Sequence, residues 1–181
     1  MAVEHMSVAP PAAVEETAED AAVARIVSRL SSEYILRAMQ LLVVAYGDIR
    51  TGIIAQTIVT ANTAHLDTRT GDGWRYAGID DTPPDEVRKP ISIARLAESL
   101  NLPFETTRRH VQRLLDAGVC VRVEGGLIVP QAVLDQPGAR RAALANVGFV
   151  RKFIRDLQAG GLEVKPRPEP PELRRRQDTA A

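Results

Sequence analysis

Apolar residues recur at helical spacing along the first third of the chain and predict three helices separated by short breaks. The first covers about 18–30. Ser31 and Ser32 can cap a second helix, which ends at Gly47. Asp48 can cap a third, whose apolar side is formed by Ile49, Ile53, Ile58, Ala61 and His65.

The second and third of these helices are apolar on more than one side. In the second, most of the circumference is covered by Leu36, Met39, Leu41, Leu42, Val43 and Val44. A helix that is apolar nearly all round must be buried on several sides. In a chain of 181 residues, a second copy supplies that cover most easily, so residues 17–66 are predicted to form a dimerisation region.

The helical pattern lapses over residues 67–89, which are predicted to form a loop. Loops of this length in compact domains are usually functional or mobile. Trp74, the only tryptophan, and Tyr76 can either pin this loop onto the core or contact a ligand or a nucleic-acid base.

Residues 90–130 carry the most specific pattern in the chain. Ser92 is a good N-cap for a short helix whose buried stripe is formed by Ile93, Leu96, Ala97 and Leu100. Asn101 tolerates the left-handed conformation that ends this helix, and Pro103 favours the start of another. The three residues 101–103 are therefore predicted to form a tight turn between two helices.

The second helix of this pair is predicted to stop at Gly118 and to bury Thr107, Val111, Leu114 and Leu115. Beyond it, valines at 119, 121 and 123 alternate with Cys120, Arg122 and Glu124, as in a strand. Gly125-Gly126 is predicted to form the tight turn of a hairpin. Helix, tight turn, helix and hairpin is the order of elements in a winged helix-turn-helix.

The segment ISIARLAESLNLPFETTRRHVQRLLDAGVCVRVEGGLIVP resembles the DNA-binding domain of bacterial winged-helix transcriptional regulators of the GntR, MarR and IclR kind. In this resemblance SIARLAESL is the supporting helix, NLP the turn, FETTRRHVQRLLDAG the recognition helix and CVRVEGGLIV the wing. Together with the helices predicted on either side of this segment, the resemblance predicts a mainly α fold with a small β-hairpin wing, in which the winged domain lies between an N-terminal helical bundle and a C-terminal helix.

The DNA contacts that this resemblance implies fall on the hairpin and on the start of the recognition helix, at Phe104, Glu105, Thr106, Arg108 and Arg109. The exposed face of the same helix adds Gln112 and Arg113, and Arg122 is the basic candidate of the wing. Arginines on such a face can pair with guanine edges or with phosphates. The alternative is a solvated face, in which Glu105 pairs with Arg109 and Arg113 pairs with Asp116.

Residues 131–161 are predicted to form a C-terminal helix, with Pro137 near its start and two glycines at its end. A 4-3-4-3 spacing typical of a coiled-coil seam links Ala143, Val147, Val150, Ile154 and Leu157. This seam can pack on its own domain or pair with a partner. The segments 1–16 and 162–181 have the composition of disordered chain.

Charge is distributed unevenly along a chain whose formal net charge is zero. Residues 1–87 carry a net −7, residues 88–138 a net +2 and residues 139–181 a net +5. A polyanion is therefore drawn to the C-terminal half. The single cysteine, Cys120, and the lack of a signal peptide or a long apolar run predict a cytoplasmic protein without a membrane partner.

No group of residues has the spacing that catalysis or metal binding requires, so we predict a protein that is not an enzyme and holds no metal or cofactor. The favoured interpretation is a homodimeric, sequence-specific transcriptional regulator that binds double-stranded DNA. The alternative is a winged-helix module for protein contact without specific DNA binding. The sequence leaves the operator and any small-molecule effector unassigned.

Overall fold

The computed structural model describes residues 18–66 and 72–162. Over these ranges the chain is mainly helical with one two-stranded antiparallel sheet, which confirms the coarse fold class predicted from the sequence. The segments predicted to be disordered lie outside the described residues, except for Leu162, and so does the start of the predicted loop.

Helices account for most of the regular structure in these ranges. In chain order they are α1 (Ala18–Tyr46), α2 (Ile49–Thr63), α3 (Ile93–Ser99), α4 (Phe104–Asp116), α5 (Gln131–Leu134) and α6 (Pro137–Ala159). The strands are β1 (Val121–Val123) and β2 (Gly126–Ile128), and two short 3-10 segments cover Asp72–Tyr76 and Asp85–Val87.

Helix α1 is continuous, so the predicted break at residues 31–32 is wrong. Ser32 does not cap a new helix, because its hydroxyl donates to the carbonyl oxygen of Ser28, one turn earlier, at 2.9 Å. The predicted stop at Gly47 is confirmed. Gly47 has a φ of 72°, and its N–H donates to the carbonyl oxygen of Val43 at 2.7 Å.

Helix α6 lies antiparallel against α1. The ring of Tyr34 stacks on Phe153 with 5.3 Å between centroids, and the guanidinium of Arg37 lies 5.8 Å from the ring centroid of Phe149. At the far end of α6, a Cβ added at Gly160 would lie 2.7 Å from a methyl carbon of Ile26. Residues later in α1 therefore contact residues earlier in α6, as expected for two antiparallel helices.

The predicted coiled-coil seam is not the face that α6 turns toward α1. Of its five residues, only Leu157 is buried and Val150 is half-buried, while Ala143, Val147 and Ile154 are exposed. Packing within the chain instead uses the aromatic side of α6, at Phe149 and Phe153. Most of the seam is left uncovered by the described residues.

Helix α2 begins at the predicted cap, Asp48, which accepts hydrogen bonds from the backbone N–H groups of Arg50 and Thr51. Its buried side differs from the predicted one and is formed by Thr51, Gly52, Ile54, Ala55, Ile58 and Asn62. His65 is exposed. A Cβ at Gly52 would lie 2.8 Å from the Cβ of Leu42, so glycine lets α2 cross close to α1.

The domain boundaries predicted from the sequence placed α2 in the same region as α1, separate from the winged segment of residues 90–130. In the structure, α2 contributes Ile54 and Ile58 to one apolar core with Leu96 of α3, Val111 of α4 and Leu127 of β2. Helix α2 is therefore shared by α1 and by the helices and hairpin that follow it.

Asn62 fastens α2 to the rest of this core. Its side-chain amide donates to the carbonyl oxygens of Lys89 at 2.8 Å and Leu127 at 3.1 Å, and its oxygen accepts from the N–H of Val129 at 3.0 Å. The residue is completely buried. Because buried polar groups are costly when unpaired, this set of bonds fixes how α2 meets the hairpin.

The turn between α3 and α4 has the predicted form. Ser92 caps α3 by accepting from the N–H of Arg95 at 3.2 Å, and Asn101 has a φ of 49°. Helix α4 ends before Gly118, which has a φ of 67°. The N–H of Val119 then donates to the carbonyl oxygen of Leu114 at 2.9 Å, as in a Schellman motif.

The turn of the hairpin differs from the predicted one. Val123 pairs with Gly126, so the two turn residues are Glu124 and Gly125, one position earlier than predicted. All three residues of β1 are exposed, whereas Cys120 just before it is buried. The valines of β1 therefore do not supply the buried face, which comes from β2 and the residue that follows it.

Trp74 and Tyr76 are half-buried, and neither belongs to the apolar core described above. The guanidinium of Arg75 lies 5.7 Å from the centroid of the Tyr76 ring. Pinning of the loop by these two rings and the alternative of a ligand or base contact both stay predictions.

Among residues 18–66 and 72–162, no single helix is long and apolar enough to span a bilayer. Only α1 and α2 taken together, with a bend of 97° between them, reach the required length and composition.

Candidate nucleic-acid interface

Helix α4 has one buried face and one exposed face, and the exposed face carries most of the predicted contact residues. The buried face is formed by Thr107, His110, Val111 and Leu114. The exposed residues are Phe104, Glu105, Arg108, Arg109, Gln112, Arg113 and Asp116, and Thr106 is half-buried. The structure therefore places seven predicted site residues on α4, six of them exposed.

The ion pairs on this face differ from the solvated-face alternative. Glu105 pairs with Arg108, not with Arg109, at 2.6 Å between Oε1 and the terminal guanidinium nitrogen. The Nε of Arg108 also donates to both carboxylate oxygens. These hydrogen bonds hold the pKa of Glu105 below its ordinary value and raise the pKa of Arg108.

Asp116 does not pair with Arg113. Its carboxylate accepts from the side-chain amide of Gln112 at 2.8 Å. Within the described residues, neither Arg109 nor Arg113 has an ion pair or a side-chain hydrogen bond. Two guanidinium groups four positions apart are thus left available to an external anion, at the cost of their mutual repulsion.

A third arginine that the sequence analysis did not identify lies in the same region. Arg50 is exposed at the start of α2. Burial is the main cause that lowers the pKa of His110, and the charges of Arg113, Arg50 and Arg109 lower it further. Three guanidinium groups from two helices therefore act on one imidazole. No local sequence pattern links Arg50 to α4, because the two helices meet only through the fold.

His110 lies on the buried face of α4 and is only 8% exposed. Its Nδ1 lies 2.8 Å from the hydroxyl of Thr51 and 3.3 Å from the carboxylate of Asp48. Burial lowers the pKa of His110, the carboxylate of Asp48 opposes this, and the three arginines lower the pKa further. The helical spacing could have indicated this burial, since position 110 lies three after Thr107 and four before Leu114 on the same side of the helix.

The hairpin supplies one predicted contact residue. Arg122 is exposed on β1. Burial raises the pKa of the nearby Cys120 thiol to about 11, and the positive charge of Arg122 only partly opposes this rise. That thiol is therefore protonated at neutral pH and unsuited to nucleophilic chemistry. No hydrogen bond or ion pair joins Arg122 to α4 in the described part of the chain.

Residues 18–66 and 72–162 contain no group of three His, Cys, Asp or Glu side chains arranged to hold a metal ion. What the exposed face of α4 offers is positive charge with amide and aromatic groups beside it.

Searches with protein-family models, among curated proteins and among solved structures found no match to this chain.

Proposed function

We propose that the chain is a sequence-specific DNA-binding transcriptional regulator in which residues 49–130 act as a winged helix-turn-helix domain. Helix α4 enters the major groove, α3 supports it and the β1–β2 hairpin is the wing. The observation that carries the proposal is that Arg109 and Arg113, which have no ion pair within the described residues, lie on the exposed face of a helix whose other face packs on a buried core.

The exposed residues divide by the contacts that their chemistry allows. The major groove of DNA admits one α-helix, and arginine can bind the O6 and N7 acceptors of guanine through two hydrogen bonds. Arg109 and Arg113 suit that role or a phosphate contact. Gln112 can pair with adenine if it leaves Asp116, and Phe104 can pack on a thymine methyl group.

Glu105 and Arg108 act as a unit in this proposal. Because the carboxylate neutralises Arg108, this arginine attracts phosphate less than its two neighbours do. An isolated acidic side chain in the groove would repel DNA, and the ion pair reduces that repulsion. Arg50 at the start of α2 and Arg122 on β1 supply further positive charge for contacts with the DNA backbone.

The proposed regulator is a dimer formed through α1. Ile35, Leu36, Met39 and Val43 are exposed, and Leu36 keeps 61% of its surface accessible. At about 100° per residue, these side chains lie on the side of α1 turned away from Tyr34 and hence from α6. No charged residue occurs between Ala38 and Gly47, so two copies can meet here without opposing like charges.

The outer side of α6 suits self-association less well. Its exposed apolar residues, Leu144, Val147 and Ile154, share that side with Arg151 and Arg155. Pairing this face with its own copy would bring arginines together, which costs free energy. The apolar side of α1 is therefore the proposed contact between copies.

The dimer is expected to dissociate when charge enters the apolar side of α1. Wild-type chain should sediment as a dimer at micromolar concentration, and Leu36→Asp with Met39→Asp should sediment as a monomer with an unchanged helical circular dichroism spectrum. Leu144→Asp, on the outer side of α6, is the matched control and should remain dimeric. A monomeric wild type would contradict the proposed dimer. A monomeric Leu144→Asp variant would mean that the interface is on α6 and not on α1.

One observation favours the alternative function, a protein-interaction module. Strand β1 is an edge strand with Val121 and Val123 exposed, and exposed edges can pair with a segment of another protein. The unpaired arginines favour DNA over this alternative, because a protein-docking edge does not need them.

Selection from a pool of random duplexes distinguishes the two functions. Purified full-length chain should enrich one sequence family, and a dimer should enrich a site with two related halves. Enrichment of no sequence, with no shift of any duplex in native gels, would support the interaction module and reject the regulator.

A further inference from the structure

A short chain of hydrogen bonds links the proposed recognition helix to the first turn of α2. The hydroxyl of Thr51 lies 2.7 Å from a carboxylate oxygen of its cap residue, Asp48, and 2.8 Å from the Nδ1 of His110. The same carboxylate accepts from the N–H of Thr51 at 3.0 Å. His110 is therefore tied to a helix cap that lies outside its own helix.

The number of hydrogens available to Asp48, Thr51 and His110 determines which of their atoms are protonated. Hydrogen bonds from Thr51 hold the pKa of Asp48 below its ordinary value, so the carboxylate is charged near neutral pH and can only accept. The single hydroxyl hydrogen of Thr51 is directed to Asp48. His110 must then donate from Nδ1 to the hydroxyl oxygen, and a second proton can be taken up only at Nε2.

The charged groups that face His110 come from both packed helices. On α4 they are Arg109 and Arg113, and at the start of α2 they are Arg50 and Asp48. The three arginines disfavour an imidazolium, whereas the carboxylate favours one. Any anion that neutralises the arginines and leaves Asp48 in place shifts this balance toward the protonated ring.

We propose that His110 is a positioning residue that couples DNA binding to proton uptake, so that affinity rises as pH falls. The inference rests on the proposed function and adds a regulation to it. Burial is the main cause that disfavours the imidazolium, and phosphates that close around Arg50, Arg109 and Arg113 remove the repulsion that adds to it. The imidazolium formed in the complex keeps its hydrogen bond to Thr51 and gains an ion pair with Asp48, so α4 is held more firmly while it is bound.

The direction follows from linkage. In the free chain the pKa of His110 lies below its ordinary value of 6.5, and in the complex it is higher. The gain in affinity is therefore complete below the pKa that His110 has in the free chain. It is lost as pH rises through the pKa that His110 has in the complex. Each unit of difference between the two corresponds to about tenfold in affinity per chain.

The test measures affinity for a duplex chosen by selection, at fixed salt, between about pH 5.5 and pH 8. Wild-type affinity should rise about three- to tenfold as pH falls across this range. His110→Asn keeps a side-chain N–H that can donate to Thr51 but does not titrate, so its affinity should not change with pH. His65→Asn, which removes an exposed histidine just beyond the end of α2, is the matched control and should keep the wild-type profile.

Two further measurements separate this role from a purely structural one. Calorimetry of wild-type binding in two buffers of different ionisation enthalpy should show net proton uptake near pH 6.5, and the His110→Asn variant should show none. Asp48→Asn keeps a good N-cap but removes the charge that favours the imidazolium, so its pH dependence should be flatter than that of the wild type.

The possible outcomes separate the inference from the function on which it rests. Binding that is specific but independent of pH, or that keeps the same pH dependence in His110→Asn, overturns the inference and leaves the regulator intact. Failure to bind any duplex at any pH overturns both.

Discussion

Replacing Arg109 and Arg113 together by alanine is expected to weaken binding to the preferred duplex by about 100-fold or more. Each arginine paired with a base edge or phosphate contributes roughly 1–3 kcal/mol, and about 1.4 kcal/mol corresponds to a factor of ten in affinity. Fluorescence anisotropy with a labelled duplex measures the change. The melting temperature should not fall, because both side chains are exposed and their mutual repulsion is removed.

The control for this variant removes the same charge elsewhere. Arg25→Ala with Arg29→Ala takes two exposed arginines from the first half of α1, and affinity should stay within about threefold of wild type. Glu105→Ala with Arg108→Ala should weaken binding less than Arg109→Ala, because the two removed side chains neutralise each other. If Arg25→Ala with Arg29→Ala lost as much affinity as Arg109→Ala with Arg113→Ala, binding would follow net charge and α4 would have no special role.

Leu114→Asp is expected to abolish the folded state of the helices and hairpin around α2. Leu114 is 2% exposed and belongs to the apolar core that joins α2, α3, α4 and β2. An unpaired carboxylate in that position costs several kcal/mol, and the lost apolar contacts add more, against a typical total stability of only about 5–15 kcal/mol. Thermal melts followed by circular dichroism should show reduced helicity at about 25 °C and no cooperative transition.

The same substitution on the outer side of α6 is the comparison. Leu144 is 56% exposed, so Leu144→Asp should shift the melting temperature by no more than a few degrees. A fully folded Leu114→Asp variant would mean that Leu114 lies at the surface. The opposite face of α4, with Arg109 and Arg113, would then have to be the buried one.

Helix ends in residues 47–118 could be predicted because their causes are local. Asp48 and Ser92 cap the helices that follow them, and Asn101 and Gly118 have the left-handed φ angles that end α3 and α4. Each of these signals depends on a single residue and its nearest neighbours. Residues 31–32 gave an ambiguous signal, because serine can cap a helix or bond back within one, and α1 adopts the second arrangement.

The face that a helix buries was harder to predict than its ends. Helix α6 carries apolar residues on two sides, and the sequence spacing alone favoured the side that the structure leaves largely exposed. The buried side of α6 is instead the one on which Phe153 stacks on Tyr34. These two residues are 119 positions apart in sequence and form no local pattern. The hairpin turn differed by one residue for a related reason, since the pairing register depends on cross-strand contacts.

For the candidate site, exposure of the arginines on α4 could be predicted and their pairing could not. Glu105 lies three positions from Arg108 and four from Arg109, and helical pairs at these two spacings differ by only a few tenths of a kcal/mol. The environment of His110 involves Asp48, Arg50 and Thr51, about 60 positions earlier, and only the fold brings them together.

The most direct measurement of the central claim is the affinity of the full-length chain for the selected duplex and for a scrambled one, over a range of salt concentrations. A dimer that presents Arg50, Arg109, Arg113 and Arg122 from each chain neutralises about six to eight phosphates, so the logarithm of affinity should fall against the logarithm of salt with a slope of about −5 to −7. The selected duplex should bind at least about 1,000-fold more tightly than the scrambled one, the lower end of ordinary specific binding, at physiological salt. Removal of residues 164–181 should reduce the slope only slightly. Equal affinity for both duplexes, with a slope that vanishes when that segment is removed, would contradict the account and leave a nonspecific polyanion contact in its place.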